Sequence, residues 1–271
     1  MIALPYLSAI RFSGADAGEF LHNQLSADVL ALASGESAFA CYCEPKGRVL
    51  ALMLVCRLEE GYFVIMARSL AATIADRLKI YVMRSKVTIE VLTGYNVSSL
   101  QADDAPELSS TSIAAIQLPH SDKWLLVNTD ENRPETNSTA QDAWKILELQ
   151  CGISWLCPET SGQFLPQMLG FDQLGAVNYR KGCYPGQEIV ARTHYLGKVK
   201  RHPRLLCTSA IICPDPLDSV QIISDGEVYE AVIVDCGHRE EGGSCLMTIT
   251  RMGPDLTAEK IEYLGQIAPL V

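Results

Sequence analysis

The run Lys181-Gly182-Cys183-Tyr184-Pro185-Gly186-Gln187-Glu188-Ile189-Val190-Ala191-Arg192 gathers more reactive chemistry than any other stretch of the chain. A thiol stands two positions after a lysine and just before a Pro-Gly turn, and the segment beyond the turn can wind as a helix. Positive charge and a helix N-terminus both favour a thiolate over a thiol. Cys183 therefore has the surroundings of a nucleophile, with Lys181 as its counter-charge or as the seat of an anion. A transient sulfur or cluster contact and a packed structural thiol are the competing readings of Cys183. Glu188 and Arg192 are four apart, the spacing at which an acid and a later base meet on one helical face, and they are read as a pair that holds the loop. Gly182 and Gly186 allow backbone angles closed to other residues and bring amide groups near a ligand. Gln187 either touches that ligand or ties the loop down.

The charge around this run is uneven. Arg180 to Arg204 holds seven cations and one acid, a local +6 in a chain of net charge −10, so the remainder carries −16. That balance argues against broad polyanion affinity and for one specific anionic ligand, such as a folate polyglutamate tail or an RNA phosphate. A solvated basic strand beside acidic neighbours is the plainer alternative. Ten cysteines lie at 41, 43, 56, 151, 157, 183, 207, 213, 236 and 245, and no pair has the two-residue gap of a zinc or dithiol motif. An iron–sulfur cluster would need about four clustered ligands, so no intrinsic metal is expected. Most of the cysteines are read as small buried hydrophobes of a cytoplasmic protein. The longest apolar run, Val49 to Cys56, is far short of the roughly 20 residues of a bilayer span. Met1 to Leu7 lacks the basic leader of a signal peptide.

The elements that must carry these residues follow from periodicity. Ile10 to Gly14 predicts a strand and turn, and Asp16 precedes a helix over Ala17 to Leu25. Strands are predicted at Phe39 to Cys43, Val49 to Leu58 and Tyr62 to Ala67, the last two as a hairpin, with a turn at Glu44 to Gly47. A helix from Leu70 to about Met83 is followed by a strand at Val87 to Leu92. Ser98 to Ser112 is polar and predicts a loop. Strands at Ile113 to Leu118 and Trp124 to Asn128, a polar linker from Thr129 to Gln141 and a helix over Asp142 to Gln150 complete a split α+β unit. Beyond Arg204 short strands recur between turns, which predicts a small barrel or sandwich.

The run from Lys181 through Arg192 resembles the signature of the YgfZ family, folate-binding relatives of the glycine cleavage T-protein that assist iron–sulfur enzymes. Gln163-Phe164-Leu165-Pro166-Gln167, Gly197-Lys198-Val199-Lys200-Arg201, Phe20 to Val29 and Pro45-Lys46-Gly47-Arg48-Val49-Leu50 are similar to flanking family stretches and come in the same order. The resemblance implies an α+β, T-protein-like arrangement of three domains. These would be a discontinuous folate-binding unit (1–45 plus 143–201), a ferredoxin-like insert (46–142) and a C-terminal β-barrel (202–271). It implies tetrahydrofolate or a derivative as ligand, with Gln150, Gln167, Tyr184, Lys198 and Arg201 near it and Cys183 and Lys181 as the chemical pair. Implied partners are iron–sulfur client or assembly proteins and tRNA-modifying enzymes.

Two departures bear on mechanism. The T-protein places an aspartate pair after the glycine turn, whereas Gly47 to Leu52 here carries no acid, with Ala51 and Leu52 in its place. An aminomethyltransferase reading loses its folate-positioning carboxylate. Gln150 stands where the family usually has a glutamate, and an amide offers the pterin one acceptor oxygen and a competing donor. A folate-dependent one-carbon transferase and an RNA-binding module using the basic segment remain the alternative functions.

Overall fold

A computed structural model describes residues 1–100, 112–129, 131, 134, 137–253 and 256–270. The chain builds fifteen strands and four α-helices. In order these are β1 (Ile2–Ala3), β2 (Leu7–Ser13), α1 (Ala17–Gln24), β3 (Ser37–Cys43), β4 (Val49–Leu58), β5 (Gly61–Ala67), α2 (Arg68–Lys79), β6 (Thr88–Val91), β7 (Tyr95–Leu100), β8 (Ser112–Gln117) and β9 (Trp124–Thr129). There follow α3 (Ser138–Gln150), α4 (Gln187–Tyr195), β10 (His202–Thr208), β11 (Ser219–Ser224), β12 (Glu227–His238), β13 (Ser244–Thr250), β14 (Lys260–Tyr263) and β15 (Gln266–Pro269). Part of the loop predicted at Ser98 to Ser112 (residues 101–111) and part of the predicted linker (130, 132, 133, 135 and 136) lie outside the described residues.

Two sheets share the first half of the chain. Five strands pair in the order β3-β4-β5-β2-β6 and four in the order β1-β7-β9-β8. β4 is buried along most of its length, which is why Val49 to Cys56 reads as an unbroken apolar run. α2 buries Leu70, Ala71, Ile74, Ala75 and Leu78, the stripe its periodicity predicts. β3 and β4 form a hairpin across residues 45 and 46, where a boundary is expected from the resemblance. The predicted split α+β unit is thus shared between two sheets.

The C-terminal strands make one antiparallel sheet, β10-β13-β12-β11-β14-β15, with its own small core around Leu206, Ile222, Ile233 and Ile261. The expected barrel is corrected here: among the described residues no ladder closes the sheet, and its edge strands meet at one isolated bridge, Thr208 to Leu270. β15 is four residues long, too short to sustain a ladder across the seam.

The cysteine expectation is corrected in part. Cys207 is bonded to Cys245, its direct cross-strand neighbour, and Cys213 to Cys236. Sheet pairing brings together thiols that are 38 and 23 residues apart, spacings that carry no motif. Cys41, Cys43 and Cys56 are buried and free, as expected of small hydrophobes. Among the described residues no helix is long and apolar enough to cross a membrane.

Candidate functional site

The motif loop is fixed first by backbone. Gly186 opens α4 in the left-handed region, at φ +82°. A Cβ there would stand 2.4 Å from the Glu44 carbonyl oxygen and 2.7 Å from Gly47 Cα. Gly47, itself at φ +76°, faces Ile189 in turn. Two stretches far apart in sequence therefore dock glycine against glycine, at a separation no side chain permits. Buried Gln167 holds α4 from beneath: its Nε2 donates to the Val190 carbonyl at 2.8 Å and to the Tyr179 hydroxyl at 3.2 Å. Gln187 Nε2 donates to the Lys181 carbonyl at 3.2 Å, so this side chain ties the loop down. The Asn178 carboxamide oxygen accepts from the backbone N–H groups of Arg180 and Lys181.

Lys181 is buried rather than presented to solvent. Its ammonium donates to the carbonyls of His22 and Leu25 and lies 5.1 Å from the centre of the Tyr184 ring. Burial pushes its pKa down to about 8, against the opposing charges of Asp28 and Cys183. A base depressed in the folded state binds its proton less tightly there than in the unfolded chain. Stability must then rise with pH between about 8 and the ordinary lysine range, where only the unfolded form keeps the proton. The unfolding free energy of wild type relative to Lys181→Met should accordingly grow from pH 8 to 10, as read by urea titration at each pH. A flat difference would contradict the assignment.

Cys183, one residue beyond Gly182, is exposed and free. Opposite Gly182 stands His22, at the end of α1. Its Nε2 is 3.7 Å from where a Cβ on Gly182 would be, and its Nδ1 is 3.2 Å from Asp28 Oδ1. Burial first, then Lys181, lowers the His22 pKa, with Asp28 and Glu19 acting against them. The imidazole is therefore neutral at pH 7.

A separate cavity of about 760 Å3 opens beside α3. Phe39, Trp144, Leu147, Leu169 and Met247 supply apolar wall, and Gln150, Gln173 and Lys123 supply polar groups. Behind that wall lies a buried hub. Glu148 accepts from the indole N–H groups of Trp144 (3.0 Å) and Trp155 (2.9 Å) and from the Tyr6 hydroxyl (2.9 Å). One turn away, Lys145 Nζ meets Asp235 Oδ2 of β12 at 2.5 Å. Burial pushes the Glu148 and Asp235 carboxyls up against these donors. Burial also works to lower Lys145, but Asp235 and Glu148 outweigh it and hold the ammonium protonated. The shifts of Lys145 and Asp235 pull the pair in opposite senses, and the close N–O contact favours the ionised form of both.

Of the residues the sequence assigns to folate, Gln150 lines this cavity, whereas Gln167, Tyr184, Lys198 and Arg201 do not. Tyr184 is packed under the loop, and burial raises its hydroxyl pKa. Lys198 and Arg201 are exposed. Glu188 and Arg192 both lie on the solvent side of α4 and, among the described residues, form no ion pair with each other or with any other group. The expected loop-holding pair is corrected: exposed i,i+4 pairs gain only about 0.3–0.5 kcal/mol, too little to fix two long side chains. Gly186, Gln187 and Gln167 hold the loop instead. Sequence reasoning missed His22, Asp28, Trp144 and Glu148. The last two had a signal, an indole and a carboxylate four apart on the apolar face of a helix. His22 and Asp28 had none beyond their place in Phe20 to Val29.

No family model matches the chain. Over 256 residues it is 30% identical to the tRNA-modifying protein YgfZ of Klebsiella pneumoniae (strain 342), covering 83% of this chain and 78% of that one. It is 31% identical over 202 residues to an uncharacterized protein of Haemophilus influenzae, covering 74% and 70%. Among solved structures it is similar to the glycine cleavage system aminomethyltransferase T from Bartonella henselae, with a TM-score of 0.72 at 16% identity over 99% of this chain and 83% of that one. That likeness shows a T-protein-like fold. With that fold, and with its identity to a YgfZ protein spread over most of both sequences, this chain belongs to the YgfZ family.

Proposed function

We propose that the protein binds a reduced folate in the cavity beside α3 and acts in the cytoplasm as an accessory factor for iron–sulfur enzymes, tRNA-modifying enzymes among them. The observation that carries this reading is the cavity. Its volume lies within the usual range for ligand sites, its wall is apolar with the Trp144 indole in it, and its polar groups are few. These residues fit a pterin ring, with Gln150 at its polar edge and Lys123 for an anionic tail. The chain's own contribution is to bind and orient. With no acid between Gly47 and Leu52, it lacks the carboxylate that would assist aminomethyl transfer.

Titration with tetrahydrofolate, followed by Trp fluorescence, should show saturable binding. No change at millimolar ligand would remove the folate reading. Gln150→Glu should bind about tenfold more tightly, because a carboxylate can accept from both the pterin amino group and its ring N–H. Unchanged or weaker binding would place the pterin elsewhere. Methylene-folate consumption by the isolated protein would favour the one-carbon transferase. In a deletion strain, Cys183→Ala should fail to restore iron–sulfur enzyme activity, and full restoration would show that the loop is not the working part. A second reading, an RNA-binding module, is favoured by Arg180, Lys198, Lys200 and Arg201, which are exposed and in no ion pair among the described residues. Its RNA affinity must fall steeply with added salt.

A further inference from the structure

We propose that His22, oriented by Asp28, is the base that takes the proton of Cys183, so that the motif loop is a thiol–disulfide exchange site for a disulfide carried by a partner. The proposal rests on the reading of the Cys183 loop as the working part and does not involve folate.

Three observations converge on it. The contact between His22 Nδ1 and Asp28 Oδ1, at 3.2 Å, places the ring proton on Nδ1 and leaves the lone pair on Nε2. Nε2 is turned to the loop, 3.7 Å from the Cβ position of Gly182, the residue before Cys183, so any side chain at 182 would crowd the ring. Lys181, the other basic group at hand, already donates to two carbonyls, one of them that of His22. It clamps the end of α1 to the loop and is not free to accept a proton. The charged groups that act on His22 are Lys181, Asp28 and Glu19, and burial with Lys181 keeps the ring neutral at pH 7. A cysteine beside a base that is itself held by a carboxylate is the general arrangement of an activated nucleophile.

The electrophile follows from the surroundings. Cys183 is exposed, and residues 180–192 line none of the larger cavities among the described residues. A small substrate has no pocket there, whereas a disulfide on a macromolecular surface needs none. In the step, the Cys183 S–H bond breaks and its proton passes to Nε2. The sulfur keeps the electron pair and attacks one sulfur of the partner's disulfide. That S–S bond breaks, and the departing thiolate takes the proton back from Nε2–H. One disulfide replaces another, with no net oxidation.

The test uses the full chain and a small aromatic disulfide reagent, with modification at each cysteine followed by peptide mass spectrometry. At pH 7, His22→Gln should slow the reaction of Cys183 at least about tenfold, and Asp28→Asn should slow it by a smaller factor. Cys151, exposed and lining the other cavity, should react at an unchanged rate in the same samples. The wild-type rate at Cys183 should climb through the imidazole titration, level off, and climb again as the thiol itself ionises. Equal rates in wild type and His22→Gln, or a single rise at the thiol titration, would overturn the proposal. The wild-type profile decides the matter even if the variants do not fold. Loss of tetrahydrofolate binding with this profile intact would overturn the folate reading alone.

Discussion

Replacing Glu148 by alanine should cost about 3–5 kcal/mol and lower the melting temperature by roughly 10 °C, the largest loss expected from any single polar substitution. The carboxylate is buried and takes three hydrogen bonds from Trp144, Trp155 and Tyr6. Truncation strands three buried donors and leaves the Lys145 ammonium facing Asp235 alone. Glu148→Gln keeps an acceptor for the indoles, and its new amide can donate to the Tyr6 oxygen, so its loss should be about 1–2 kcal/mol. Urea unfolding read by Trp fluorescence reports both, because two of the donors are the indoles themselves. Equal losses for the two variants would mean that volume and charge, not acceptor geometry, hold the hub together.

Gly186→Ala should destabilise by about 3 kcal/mol, combining the left-handed penalty of an L-residue with overpacking against backbone. The new methyl would stand 2.4 Å from the Glu44 carbonyl oxygen and within 2.8 Å of Gly47, and neither neighbour is a flexible side chain. Gly175→Ala supplies the control. Gly175 has nearly the same φ, +79°, with nothing within 4 Å of its Cβ position. It should therefore show only the conformational part, about 1 kcal/mol. Thermal melts of the two proteins separate the contributions, and matching losses would show that the docking of the two glycine turns carries no energy.

The sequence made legible what local periodicity encodes. α1, β3 to β5, α2, α3 and the helix beyond Gly186 all follow from apolar spacing and turn residues near the observed positions. β7 escaped because its buried residues include Asn96, Ser98 and Ser99. The Asn128 amide from β9 donates to the Ser98 hydroxyl at 2.8 Å, so polar pairing replaces the apolar alternation that marks a strand. β1 escaped because two residues carry no period, and their partner strand lies near residue 98. β14 and β15 are four residues each, joined through Leu264 and Gly265 at positive φ. In the site, Cys183 was legible because its chemistry is written in neighbouring residues. His22 and Asp28 were not, since a histidine six positions before an aspartate means nothing until the chain folds α1 back onto the loop. The cation–thiol pairing predicted for Lys181 failed for a related reason: sequence gives the charge, but only the fold reveals the two carbonyls that claim it.

α3 is tied to its surroundings at several points. Gln141 donates to the Ala3 carbonyl on β1, Lys145 grips Asp235 on β12, Glu148 binds Tyr6 and Trp155, and Leu147 and Gln150 look into the cavity. The helix is in effect an axle with a handle on each side. A guest that stiffens the cavity end resists rotation of the shaft, and that resistance is felt in the far sheet, where the amides of β12 would exchange with deuterium more slowly.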